Sequence, residues 1–295
     1  MPISHLLLAL LVVVIWGINF IFVKLGLEEI NPLLLCALRF LCASVPAVFF
    51  VKPPAAPFKV IAAYGLIMFA LQFALTFTGM HVGMTPGMGS LLMQVQVFFS
   101  IFFAMLLLGE RPKLGQIAGA LVSFSGIGLV ALHLDHEVTM LGFIFMIAAA
   151  ATWGVGNLIT KQLKGASMVS VIVWGSFIAC FPMFTLALLI EGPQSFVTTY
   201  EHVTIKGISA LIYIVYASTW IGYGIWNWLI CRYPVGVVVP FSLLVPVISI
   251  LVSVIMFGEA FQLWKLVACL LVISGLCINI ISSRFVGFRT QAKAA

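Results

Sequence analysis

Trp16-Gly17-Ile18-Asn19-Phe20, followed by Lys24, recurs 137 residues later as Trp153-Gly154-Val155-Gly156-Asn157, followed by Lys161. The two asparagines are one position out of step. A second pair of landmarks, Gly109-Glu110 and Gly258-Glu259, recurs at an offset of 149. That same offset pairs Ser125-Gly126 with Ser274-Gly275 and Pro86-Gly87 with Val235-Gly236. The difference of 12 residues falls largely to the longer connection between Glu191 and Val203. The chain therefore reads as two related halves, residues 1–135 and 136–295.

Both copies of the repeated stretch lie inside long apolar runs. Hydrophobic residues make up 63% of the 295 and charged residues only 7%, against roughly 25% charged in a soluble domain. Lipid must be the solvent for most of this chain. A spanning helix needs about 20 mostly apolar residues, and ten such segments are expected. They cover residues 4–23, 32–51, 59–79, 87–108, 115–132, 140–160, 169–190, 204–228, 237–257 and 263–282. The runs are continuous rather than alternating, which argues against a barrel. The first run follows no Lys or Arg and precedes no cleavage site, so it reads as a membrane helix rather than a signal peptide. The six cysteines show no CxxC spacing and read as small apolar residues.

Charge tests the count. With ten spans, Lys52, Lys59, Arg111, Lys113, Lys161, Lys164, Arg232, Arg284, Arg289 and Lys293 share the side of the termini. The other side receives Lys24, Lys206 and Lys265. Ten against three, with Arg39 inside the second span, accounts for all 14. The positive-inside rule then places both termini in the cytoplasm. The net charge of +6 is thus an orientation signal, and nucleic acid is not an expected partner. Because each half has an odd number of spans, the halves enter the membrane from opposite faces. Such inverted repeats are a recurrent design of secondary transporters.

The WGxNF segment, Leu106 to Arg111 closing the fourth span, and Phe257 to Glu259 closing the ninth resemble the drug/metabolite transporter superfamily, and within it the EamA family. Ala9 to Phe20, Met93 to Phe99, Gly222 to Trp226 and Ser242 to Val247 are similar to its bacterial branch that exports O-acetylserine and cysteine. The resemblance covers the whole chain. It implies a multi-pass protein of the bacterial inner membrane that exports amino acids and related metabolites by alternating access.

Polar side chains inside spans carry the functional expectations, because they are costly in lipid. Arg39 is the one ionisable residue well inside a span, about 10 Å from its outer end at 1.5 Å per residue. It could pair with a substrate carboxylate, cap helix carbonyls or snorkel. Tyr216, Trp220, Tyr223 and Asn227 are spaced 4, 3 and 4 apart, which places them on one face of an α-helix. That face is expected to line a central cavity; helix packing is the alternative. Gln72 and Thr76 share a face one turn apart. Trp16 with Asn19 and Trp153 with Asn157 form equivalent pairs, read as gates near opposite ends or as interface anchors. Gln94 and Gln96 must face different ways, so one is expected to meet substrate. Pro240 and Pro246 free backbone carbonyls and let the ninth span bend. Met80, Met84, Met88 and Met93 read as adaptable packing, and His81 as a solvated imidazole. Glu110 and Glu259 read as turn residues, a coupling proton on either being the alternative.

The sequence has no GxxxxGK[ST] loop, metal triad or nucleophile with an oriented base. No cofactor, metal or enzymatic activity is expected. The leading reading is a secondary active exporter of a zwitterionic amino acid or derivative, driven by a proton or an exchanged counter-substrate. A passive facilitator, an exporter of another drug or metabolite, and an enzyme acting on a lipid-linked substrate are the alternatives.

Overall fold

A computed structural model describes residues 1–108, 114–133, 138–163, 165–233, 238–258 and 262–292. All regular structure among them is helical. Helix α1 spans Ile3–Leu27 and α2 Pro32–Ser44. Helix α3 spans Phe58–His81 and contains a π-helical stretch, Tyr64–Leu71. Helices α4, Pro86–Met93, and α5, Gln96–Leu108, are separated by a turn. Helix α6 is Leu114–Leu132 and α7 Met140–Gln162. Helix α8, Met168–Glu191, ends in a π turn, and α9 is the short Pro193–His202. Helix α10 runs unbroken through Ile205–Ile212, a π-helical Tyr213–Tyr223 and Gly224–Arg232. A 3-10 stretch, Val239–Leu244, leads into α11, Val245–Phe257, and α12 is Leu263–Ala292.

Six described helices are long and apolar enough to cross a membrane: α1, α3, α7, α8, Ile205–Leu229 of α10, and Pro32–Phe49, which extends α2. Ile117–Leu132, Val245–Phe257 and Leu263–Gly275 are shorter apolar helices. The chain is an integral membrane protein. Glu110, Glu259 and Val235-Gly236 fall outside the described residues. The connection after Glu191, expected as a loop, contains α9; Gly192 takes φ +77, a left-handed value that glycine adopts without a Cβ penalty.

Local signals start the helices. Pro32 and Pro86 occupy first-turn positions where a missing N–H costs nothing. The Thr139 hydroxyl caps α7 by accepting from Gly142 N at 3.0 Å. Two caps come from distant elements. Glu191 accepts from Leu33 N at 2.7 Å and Leu34 N at 3.0 Å, at the start of α2. Glu29 accepts from Thr204 Oγ1 at 2.6 Å, Thr204 N at 2.9 Å and Gly207 N at 3.0 Å, at the start of α10. Glu28 pairs with Lys206 beside it. These carboxylates sit where the helix dipole favours negative charge.

The helices pair in a definite pattern. Helix α2 packs on α8, and α6 on α12. Helix α1 lies against α10 and α11, while α7 lies against α3, α4 and α5. Helix α3 also meets α8, and α4 meets α11. Glycine permits the closest crossings, as small residues do where lipid gives no hydrophobic drive. A Cβ on Gly65 would stand 2.7 Å from the Gly175 carbonyl oxygen. Cys36, Cys42, Cys180, Cys269 and Cys277 are free thiols.

Gly65→Val should lower stability by about 1–3 kcal/mol, read as an earlier thermal transition of the purified protein in detergent. The hydrogen bonds to Glu29, that from the Thr204 hydroxyl foremost, hold its carboxyl below the usual carboxylate range. Its stabilising contribution is therefore complete at neutral pH and is lost as pH falls through that lowered value. Glu29→Gln should melt slightly earlier at neutral pH and lose this part of the acid dependence.

Candidate functional site

Arg39 sits on α2 with 0% of its surface exposed. Its Nε donates to Thr219 Oγ1 at 3.0 Å. The guanidinium carbon lies 3.7 Å from the centre of the Phe73 ring, with Phe40 and Phe77 farther out at 5.6 and 5.8 Å. Nη1 and Nη2 have no hydrogen-bond partner. The side chain neither snorkels nor caps a described carbonyl. Thr219 is itself fixed, because its hydroxyl donates to Ile214 O at 2.8 Å. That bond spans five residues and belongs to the π turn of α10.

An aromatic wall adjoins the guanidinium. Tyr223 is buried, 6.2 Å from Phe73 and 5.7 Å from Phe69 between ring centres. Trp16 lies 5.1 Å from Tyr223, 5.2 Å from Trp226 and 6.2 Å from Trp153. The Trp16 indole donates to Ser218 O at 3.3 Å. Tyr64 packs on Phe69 at 4.9 Å.

Several polar groups around this wall are buried and only partly satisfied. Gln72 Nε2 donates to Thr76 Oγ1 at 2.9 Å, while Gln72 Oε1 has no partner. Asn19 Oδ1 is also unpartnered, while the side chains of Asn227 and Tyr64 face each other across α10 and α3. Native interiors leave few such atoms, and these groups lie on α1, α3 and α10, the helices that carry most of the aromatic wall. Other candidates are spent on structure. Asn157 Nδ2 donates to Gln96 Oε1 at 2.7 Å and Ser100 Oγ at 3.0 Å, tying α7 to α5. Gln94 Oε1 accepts from Ser242 Oγ at 3.2 Å. The Trp220 indole donates to Ala43 O at 3.0 Å.

Two sequence expectations change. Tyr216, Trp220, Tyr223 and Asn227 do not share a face: Tyr216 is 54% exposed, whereas Tyr223 and Asn227 are buried. The spacing argument assumed α-helical rotation of about 100° per residue. The wider i→i+5 turn rotates about 80°, so seven residues accumulate a phase error of about 140°. Trp16 and Trp153 are not gates at separate ends either, since their rings meet edge to face. Sequence reading missed Tyr64, Phe73, Thr219 and Trp226. Tyr64 and Tyr213 begin the π stretches of α3 and α10, and their separation of 149 residues is the repeat offset that could have drawn attention to Tyr64.

A multi-helix membrane bundle with a buried cationic and aromatic centre describes a carrier of small molecules, and the comparisons agree. The EamA-like transporter family matches residues 3–132 and 140–281. The chain is 36% identical to the "Probable amino-acid metabolite efflux pump" of Escherichia coli K12, over 94% of this chain and 95% of that one. It is 36% identical to the protein of the same name in Salmonella typhimurium LT2, over 97% and 96%. A "Probable terminal-alkyne amino-acid exporter" of Streptantibioticus cattleyicolor is 28% identical over 69% and 66%. A solved crystal structure that matches with a TM-score of 0.66 at 19% identity, covering 95% of this chain and 99% of that one, shares the fold. The chain belongs to the EamA-like transporter family. It is a transporter, not an enzyme.

An uncompensated buried charge opposes folding, and an apolar side chain of similar volume removes that cost. Arg39→Met should raise the thermal midpoint of the purified protein, by an increment on the order of 1–4 kcal/mol.

Proposed function

We propose that the chain is a secondary active exporter of a small amino-acid-like metabolite, working by alternating access. The observation that carries this is Arg39, buried with both terminal nitrogens free. Its Nε is committed to Thr219, which leaves the Nη1–Nη2 edge for a carboxylate fork. Trp16, Asn19, Gln72, Thr76, Trp153, Tyr223 and Asn227 surround the substrate. Gln94, Asn157 and Trp220 brace the helices, and Tyr216 stands outside the site. The names of the Escherichia coli and Salmonella relatives support an amino-acid metabolite as cargo.

Ten spans in two inverted repeats, residues 1–135 and 136–295, provide the exchange. The first half comprises α1, α2, α3, α4 with α5, and α6. The second comprises α7, α8, α10, the 3-10 stretch with α11, and α12. Interchanging the halves maps the packing of α1 on α10 onto that of α7 on α3. It likewise maps α1 on α11 onto α7 on α4 and α5, and leaves the α2–α8 and α6–α12 pairs in place. This correspondence supports the repeat, as does the 149-residue separation of the two π stretches. Similar halves of opposite orientation offer two states of similar energy, one open to each side. Both termini face the cytoplasm of a bacterial cell, and a proton or counter-substrate gradient across the inner membrane supplies the energy.

Purified protein in liposomes, given a panel of labelled amino acids and derivatives with and without a pH gradient, tests the reading. Accumulation against a gradient separates a pump from a facilitator. Arg39→Gln should slow transport of carboxylate-bearing substrates by about 100-fold. Absence of transport for every member, or an unaffected Arg39→Gln, would overturn it.

A further inference from the structure

The equivalent tryptophans of the two halves meet at the centre, so closure at the ends falls to other residues. Tyr64 and Tyr213 begin the π stretches of α3 and α10, at the repeat offset of 149. Their surroundings differ. Tyr64 is buried, with its ring 4.9 Å from Phe69 and its hydroxyl facing the Asn227 side chain of α10. Tyr213 is half-buried. Its ring stacks on Phe22 at 4.0 Å and its hydroxyl donates to Ile15 O at 2.9 Å, both on α1.

Helices α1, α10 and α11 pack as one group, and α7, α3, α4 and α5 as another. Tyr213 therefore turns back onto its own group, whereas Tyr64 reaches across to the other. Phe69 and Phe73 make the same crossing farther along α3, at 5.7 and 6.2 Å from Tyr223. Tyr64 stands near the start of α3 and Asn227 near the end of α10. In the proposed orientation both positions are on the cytoplasmic side, and Tyr213 is toward the outer side.

Where similar halves exchange roles between two states, equivalent residues trade environments. Asn227 maps at the offset of 149 onto Thr78, and Ile15 maps at 137 onto Thr152. Thr78 lies near the outer end of α3, and Thr152 lies on α7, which packs against α3. The partners that an exchange needs are thus present: a hydroxyl for Tyr213 across the groups, and a backbone carbonyl for Tyr64 within its own. We propose that Tyr64 and Asn227 close the cytoplasmic end of the carrier in this structure, and that Tyr213 and Thr78 close the outer end in the opposite state, when Tyr64 turns to Thr152 O. Asn227, one turn inward of Tyr223, is then the floor of the proposed substrate site.

The two closures are unequal. A Cβ on Gly175 of α8 would stand 3.0 Å from Tyr64 Cδ1, and one on Gly65 2.7 Å from the Gly175 carbonyl oxygen. These glycines let α8 seat the Tyr64 ring. Their equivalents at the outer end are Leu38 and Ile214, whose side chains forbid so close a crossing. The cytoplasmic closure is the tighter one, and the carrier rests as it stands here.

The proposal rests on the inverted repeat and on alternating access, and its test needs no substrate. Full-length protein in membranes carries either Tyr64→Cys with Asn227→Cys or Thr78→Cys with Tyr213→Cys. A bifunctional thiol reagent with a spacer the length of a tyrosine side chain links each pair, because a direct disulfide needs Cα atoms within about 7 Å. Linked peptides are identified by mass spectrometry, so the native cysteines stay in place. The inner pair should link fast and the outer pair slowly. Asn227→Ala, added to the outer pair, should speed its linking roughly fivefold, the worth of one hydrogen bond. Asn227→Ser takes its place where the alanine variant does not fold. Asn157→Ala is the control, since its bonds to Gln96 and Ser100 stay within one group, and it should leave the rate unchanged. An outer pair that links in no background overturns the exchange of partners. Equal acceleration by the Asn227 and Asn157 variants, or none by the former, overturns the gate. An outer pair as fast as the inner one overturns the resting state. Failure of every compound in the liposome panel overturns the exporter reading, while the linking rates still decide the gates.

Discussion

A guanidinium held away from water, with neither terminal nitrogen bonded, is the costliest group among the described residues. In a membrane every polar group must be satisfied from within the protein, and most here are. Ser44, Ser90, Ser100 and Thr160 return their hydroxyl protons to carbonyls of their own turns. Asn157, Gln94 and Trp220 bond across helices. Against that background, the free edge of Arg39 stands out together with the free acceptors of Asn19 and Gln72. The surrounding helices stabilise a centre that is itself unfavourable. On the proposed function a matching anion relieves that cost, so that binding and conformational change draw on the same free energy.

The π-helical stretches of α3 and α10 make this centre. A wider turn frees backbone groups and alters the direction of every side chain after it. In α10 it lets the Thr219 hydroxyl donate to Ile214 O while its oxygen accepts from Arg39. It also turns Tyr223 inward and Tyr216 outward. In α3 the stretch ends just before Gln72, whose amide is then locked by Thr76. The two bonds fix opposite kinds of group: one orients a donor edge, the other exposes an acceptor. An amino-acid-like molecule presents their complements.

Much of the architecture was legible in the residues. Apolar runs located the helices because the hydrocarbon thickness sets their length. Arg39 was identifiable as a functional candidate because a charge inside a span is costly. Its partners were not, since Thr219 and Phe73 are distant in sequence and unremarkable in type. The grouping of Tyr216 with Tyr223 failed because it assumed one helical period throughout. Trp16 and Trp153 were recognised as equivalent but were placed apart, because sequence offsets say nothing about how the two halves approach each other.

The sequence by itself determined the solvent of this chain, its helical class and its family, because each follows from composition or from pattern along the chain. The tertiary structure alone decided which polar atoms are satisfied and which are left free. That distinction depends on crossings between helices and on a local change of helical period, neither of which has a signature in residue order.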